Sequence, residues 1–218
     1  HQCANDIISN LDNNQPLPFL RYCIPTGGLG NGSSCFIAKK MGVPISDIIL
    51  AVNENDTISR TLETGCFKLL PVKVTNAPAM DICNPYNIER LLYLLSNNNA
   101  KVVNDFIQEL ANSDDNQTQI NSEILDALKN EFTSISIKQD EVCTTIKSIY
   151  DTWKDIVDPH SSVGLTAAAK IKSKGPSNTI PILCVATAHP GKFPQTIEGA
   201  IKDSYKLPEA LEELLQKP

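Results

Sequence analysis

Ile24-Pro25-Thr26-Gly27-Gly28-Leu29-Gly30-Asn31-Gly32-Ser33 is the stretch whose reading decides the fold. A short, β-leaning apolar run at 19–24 precedes it, and residues 33–41, which read as a helix closed by Gly42, follow it. The order strand, glycine loop, helix opens a βαβ unit. Glycines let backbone N–H groups turn inward with no Cβ in the way. A helix N-terminus adds free donors and partial positive charge at the same point. The combination suits a phosphate group, although a glycine turn without a ligand would have the same composition. Neither familiar nucleotide fingerprint is present. No Gly-Lys-Ser/Thr closes the loop, and Ser33 stands where G-x-G-x-x-G, counted from Gly28, requires its third glycine.

Working outward, residues 47–52 form a near-continuous apolar run, the pattern of a parallel strand covered on both faces. It ends in Asn53-Glu54-Asn55-Asp56, polar groups at a strand's carboxyl end, where open α/β sheets hold their ligands. Asp56 is open to a pocket role and to capping a helix over 57–64 that stops at Gly65. Residues 66–84 read as irregular. Helices are expected at 85–95 with Pro85 in the first turn, 102–110, 122–132 and 140–153, with a mobile polar linker at 112–121. A helix of small residues at 163–171 and a polar loop at 172–178 follow. The third buried strand, 180–186, ends in Thr187-Ala188-His189-Pro190-Gly191-Lys192-Phe193, a second polar cluster at a carboxyl end. Helices over 194–201 and 207–215 close the chain, and Ile7, Ile8 and Leu11 mark one face of a short helix in residues 1–12. The expected fold is therefore α/β: an open, mostly parallel sheet flanked by helices, with a helical insert. The expected division is 1–84 (the βαβ phosphate-loop part), 85–157 (the insert) and 158–218 (the remainder of the sheet domain with carboxyl-terminal helices).

Bulk properties narrow the partners. The 218 residues are 41% hydrophobic and 20% charged, an ordinary globular composition, and the net charge of -6 argues against a nucleic-acid partner. No apolar run approaches the roughly 20 residues a membrane helix needs. The start, His1–Asp6, lacks the basic and apolar regions of a signal peptide. Seven scattered cysteines without a C-x-x-C fit reduced thiols in a cytoplasmic protein better than disulfides or a metal site. His160 and His189 share no metal-ligand spacing and read as structural histidines.

Four blocks carry a resemblance. They are Pro25-Thr26-Gly27-Gly28-Leu29-Gly30-Asn31; Asn53-Glu54-Asn55-Asp56 with Arg60; Pro78-Ala79-Met80-Asp81-Ile82 with Asn87-Ile88-Glu89-Arg90-Leu91; and Asp158-Pro159-His160 with Val163-Gly164 and Thr187–Phe193. In order and spacing the chain resembles the carboxyl-terminal half of threonine synthase, a pyridoxal-phosphate lyase of the type II, tryptophan-synthase-β-like fold. The resemblance implies conversion of O-phosphohomoserine and water to threonine and phosphate, in threonine biosynthesis. It implies that Gly27, Gly28, Leu29, Gly30 and Asn31 cradle the cofactor phosphate and that the Thr187 hydroxyl meets the pyridine nitrogen. Asn53, Asp56 and Lys192 are the implied substrate-side residues, with helix capping, ion pairing and a solvated lysine as the competing accounts. The partners implied are the small-molecule substrate and the amino-terminal half of the protein.

The chain also departs from that family. The family's Schiff-base lysine lies in a Phe-Lys-Asp segment of the amino-terminal half, and no such segment occurs here. Its Asn-Trp-Ala-Arg motif has no match in residues 1–18, Gly28 and Leu29 replace the usual Asn and Phe, and Gly191 replaces Ala. The expectation is a chain that is catalytically inert alone. Two alternatives stand beside it. One is a threonine-synthase-like phospho-lyase giving 2-oxobutyrate, towards which Val52-Asn53 and Pro85-Tyr86-Asn87 lean. The other is a non-catalytic module that binds a phosphate-bearing ligand.

Overall fold

The computed structural model describes residues 19–173 and 180–215. The helix expected in residues 1–12 and most of the loop expected at 172–178 lie outside the described residues. The first strand, β1 (Leu20–Pro25), passes through the glycine loop into α1 (Gly30–Lys40) and on to β2 (Ile45–Val52). Next come α2 (Thr57–Thr64), the three-residue β3 (Cys66–Lys68), a 3-10 turn at Pro78–Met80, α3 (Ile88–Leu95) and α4 (Ala100–Ala111). The chain continues through β4 (Gln117–Gln119), α5 (Ser122–Glu131), β5 (Phe132–Ser136), α6 (Gln139–Trp153) and α7 (Pro159–Ser173). It closes with β6 (Ile182–Cys184), a 3-10 turn at Pro190–Lys192, α8 (Pro194–Ile201) and α9 (Glu209–Leu215).

Four strands form one parallel sheet in the order β5-β2-β1-β6. The apolar run of β2 is continuous because the sheet is covered on both faces. Ile48, Leu50 and Val52 alternate into a core shared with Phe36 of α1, Ile58 of α2, Leu91 of α3 and Leu128 of α5. Ile49 and Ala51 point the other way, with Cys23 of β1, into a second core of Ile146 from α6, Val163 and Ala167 from α7, and Ile197 from α8. Phe36 and Phe132 meet at 5.4 Å between ring centroids in the first core. In the second, α7 packs so closely on β1 that a Cβ on Gly164 would lie 2.9 Å from the Pro25 ring.

Two local expectations are corrected. Phe132, read as a helix end, and residues 133–136, given no element by the sequence, form β5, which pairs with β2 from Ile48↔Phe132 to Val52↔Ser136. Thr133 and Ile135 are the β-branched residues that mark it, but the segment is too short for its period to stand out beside α5. The polar stretch 112–121 is ordered: Gln117–Gln119 pairs antiparallel with Cys66–Lys68, and the Asn121 side chain accepts from the Glu123 amide to cap α5. Among the described residues no helix is long and apolar enough to cross a membrane.

Candidate functional site

β1 and β6 are parallel neighbours in register, Cys23 facing Cys184, and Val185 N–H donates to the Cys23 carbonyl at 2.9 Å. Their carboxyl ends therefore open on the same edge of the sheet. The loop after β1 and the segment after β6 meet there in a cavity of about 260 Å³. Gly27, Gly28, Leu29, Gly30, Asn31 and Thr187 all line it. The far wall comes from Ala79, Met80, Tyr86 and Asn87, with His160 beside Thr187.

The loop's geometry follows from two side chains. Asn31 holds its stem closed, donating from Nδ2 to the Pro25 carbonyl at 2.6 Å and accepting on Oδ1 from the Thr26 hydroxyl at 2.7 Å and the Gly32 amide at 2.9 Å. The left-handed residue is Leu29, at φ 67° and ψ 10°, rather than any glycine. That conformation costs a non-glycine residue about 1–2 kcal/mol. The Leu29 side chain is fully buried in the first core, which offsets the cost. Among the described residues, the amides of Gly27, Gly28, Leu29, Gly30 and Asn31 have no hydrogen-bond acceptor. Five successive free donors at the start of α1, curved by one left-handed residue, have the donor arrangement of an anion cradle.

Glycine at 27 is a steric requirement. A Cβ there would stand 2.9 Å from Met80 Cα, so the 3-10 turn 78–80 lies directly on the loop. That turn is held from two directions. On one side Asp81 accepts from the Asn53 amide (2.7 Å), the Thr75 hydroxyl (2.6 Å) and the Thr75 backbone (2.8 Å). On the other, the Ala79 amide donates to His160 Nε2 at 3.1 Å.

Behind His160 lies a buried charge. Asp158 Oδ1 pairs with His160 Nδ1 at 3.0 Å and accepts the His160 amide at 2.8 Å, and the Ser161 hydroxyl donates to Oδ2. Burial pushes the Asp158 carboxyl upward, but the His160 and Ser161 side chains and their amides outweigh it and hold the carboxyl below its usual range. The Ser161 oxygen also accepts from the Thr187 amide at 3.3 Å. One network therefore spans from the wall behind Gly27 to Thr187.

The remaining expected site residues lie elsewhere. Asn53 is buried, with its amide spent on Thr75 and Asp81 and its carbonyl on the Asn55 amide, so it acts on the cavity through the 78–80 turn. Asp56 sits at the N-cap position of α2, yet its side chain caps nothing and pairs with Arg60 at 2.8 Å. Lys192 is exposed on the 3-10 turn beyond Ala188 and does not line the cavity. His189 accepts from the Gly191 amide at 3.0 Å and caps that turn. The walls Met80, Tyr86 and Asn87 escape a search of strand ends because they come from a 3-10 turn and a helix start. A larger cavity of about 520 Å³, with Ile37, Tyr93, Val103 and Ile107 in its lining, is walled by α1, α3 and α4. No strand end contributes to its lining, whereas the smaller cavity gathers the loop after β1 and the segment after β6 and is therefore the candidate site.

The comparisons with known proteins agree with this geometry. The family model described as "Threonine synthase, C-terminal" matches residues 161–218. The chain is 33% identical to threonine synthase of Saccharomyces cerevisiae over 196 residues, which is 84% of this chain and 38% of that protein. It is 34% identical to threonine synthase-like 2 of Homo sapiens over 187 residues, 85% of this chain and 38% of that one. Among solved structures, PLP-bound threonine synthase from Brucella melitensis superposes with a TM-score of 0.85 at 34% identity, covering 94% of this chain and 43% of that one. The yeast threonine synthase structure gives 0.89 at 30% identity, covering 99% and 45%. The chain thus spans about two fifths of the length of the curated relatives it matches. With its parallel sheet, its glycine loop and these likenesses taken together, the chain is similar over most of its length, in sequence and in fold, to the carboxyl-terminal part of threonine synthases.

Proposed function

We propose that this chain is the cofactor-facing part of a pyridoxal-phosphate-dependent threonine synthase, acting on O-phosphohomoserine and water in the cytoplasm. The observation that carries the reading is the set of five unpartnered amides at Gly27–Asn31, opposite Thr187 in one cavity. The donor chemistry fits a phosphate monoester: backbone N–H groups, a helix N-terminus and no carboxylate in the cavity lining. The cofactor, when bound, supplies the electron sink for carbanion chemistry. Gly27–Asn31 anchor its phosphate. The Thr187 hydroxyl would serve as the neutral partner of the ring nitrogen, and the Ser161–Asp158–His160 network fixes the backbone of Thr187. Asn53 positions the Met80 wall, while Asp56 and Lys192 are assigned to the substrate side. In this reading residues 1–84 and 158–218 build most of the cofactor-facing wall, and residues 85–157 add Tyr86 and Asn87 to it, brace it and lend β5 to the sheet. The amino-terminal half supplies the anchoring lysine.

The chain alone is expected to bind pyridoxal phosphate without the absorbance band of an internal imine, and to release neither threonine nor phosphate from O-phosphohomoserine. Enzyme-like turnover by the chain alone would show that the anchoring amine is not needed from elsewhere. Failure to bind the cofactor would end the reading. The residues encoded ahead of His1 give a second check: a Phe-Lys-Asp segment favours the enzyme, and its absence favours a binding module.

A second reading, towards which Val52-Asn53 and Pro85-Tyr86-Asn87 lean, is a phospho-lyase that converts O-phosphohomoserine and water to 2-oxobutyrate, ammonia and phosphate. Product analysis on the protein with its upstream half separates the two, threonine for one and 2-oxobutyrate for the other.

A further inference from the structure

Gly28 and Tyr86 compete for one volume. A Cβ on Gly28 would lie 3.2 Å from both Cζ and Oη of Tyr86. The next residue, Asn87, grips the Gly28 carbonyl twice, through its side-chain amide at 2.7 Å and its backbone amide at 3.2 Å. The Gly28 carbonyl and the Leu29 N–H belong to one planar trans peptide and point in opposite directions. Fixing that carbonyl on Asn87 therefore turns the Leu29 N–H away from Asn87. Tyr86 is 57% exposed, and its hydroxyl has no hydrogen-bond partner among the described residues. An aromatic ring lying on the glycine loop, with a free donor at its tip, is not required by the core.

We propose that Tyr86 is an anion-binding residue: its hydroxyl donates to an oxygen of the phosphate ester held by the Gly27–Asn31 amides, and residue 28 lacks a side chain so that the phenol can stand there. This rests on the reading of the loop as the phosphate site. It makes the cradle composite, with backbone donors from the β1–α1 loop and one side-chain donor from the start of α3. Gly28 is not in the left-handed region, so an alanine there imposes no backbone strain. Its methyl would displace the exposed phenol and leave the amides in place.

The test titrates the full 218-residue chain with pyridoxal 5′-phosphate, and in parallel with pyridoxal, which has no phosphate, following binding by fluorescence. Wild-type chain should prefer the phosphorylated probe. Tyr86→Phe should weaken pyridoxal 5′-phosphate about tenfold, the scale of one hydrogen bond to a charged acceptor, and leave pyridoxal unchanged. Gly28→Ala should give a similar loss, and the double variant should lose no more than either single one. Equal binding of pyridoxal 5′-phosphate by Tyr86→Phe and wild type overturns the role of Tyr86 and leaves the loop reading standing. So does an equal loss for pyridoxal, while fully additive losses overturn the shared volume. A wild-type chain with no preference for the phosphorylated probe overturns the loop reading itself, and Tyr86 with it.

Discussion

The Ala79 backbone amide donates to Nε2 of His160 across 3.1 Å. A backbone amide can only donate, so Nε2 is the bare nitrogen and the ring proton sits on Nδ1, directed at Asp158 Oδ1 3.0 Å away. The imidazole is neutral and bridges the wall behind the glycine loop to a buried carboxylate.

His160→Ala should therefore remove three things at once: the acceptor for Ala79, the donor to Asp158 and the ring packed 4.7 Å from Phe193. The expected loss is about 2–4 kcal/mol in a urea unfolding titration. Long-range ¹⁵N correlation spectra should show a proton on Nδ1 in the wild-type protein. A proton on Nε2 alone would contradict the arrangement.

Gly27→Ala places a methyl group 2.9 Å from Met80 Cα and 3.2 Å from the Met80 carbonyl oxygen. These are backbone atoms and cannot swing aside. The 3-10 turn must shift, at an expected cost of about 1–3 kcal/mol, and the same shift should weaken binding of pyridoxal 5′-phosphate. Melts and titrations on one preparation check both, and an unperturbed variant would mean that the turn does not lie on the loop.

Asp158 predicts the acid limb of stability. Burial alone would raise its carboxyl, but the bonds from His160 and Ser161 lower it further than burial raises it. A carboxyl with a depressed folded value contributes stability that is complete above its unfolded value, near 4, and is lost as pH falls through the folded value. Stability should decline below about pH 4, and Asp158→Asn should flatten part of that decline while lowering stability at neutral pH. An acid limb unchanged in Asp158→Asn would assign it to other carboxylates.

Cys35 governs part of the alkaline side. Burial pushes its thiol up to about 11, with Lys39 pulling the other way. The unfolded thiol ionises near 8.5, so between about pH 8.5 and 11 the unfolded chain binds fewer protons and stability falls as pH rises. Cys35→Ala should lessen that slope, and alkylation of native Cys35 at pH 8 should be slower than that of the same residue in urea.

Much of the sheet was legible in the sequence because its signals are local. The glycine loop between a β-leaning run and a helical one, the apolar run of β2 and the stop at Gly65, left-handed at φ 78°, each follow from residues within a few positions of one another. β5 was not legible, because five residues of strand depend on pairing with β2 and carry little pattern of their own. The pairing of Gln117–Gln119 with Cys66–Lys68 was hidden for the same reason: two three-residue segments about 50 residues apart need each other.

The chain's residues determined by themselves that a strand would run into a donor-rich loop and helix, since glycine content, apolar runs and helix-start chemistry act over a few bonds. Only the tertiary structure decided that Thr187 would face that loop, that Met80 would press on Gly27 and Tyr86 on Gly28, and that Asn53 would turn to Thr75 and Asp81. The Thr187, Met80 and Tyr86 contacts join residues between about 50 and 160 positions apart and the Asn53 contacts residues 22 and 28 apart, and they are set by which strands lie side by side and by the space their packed helices leave.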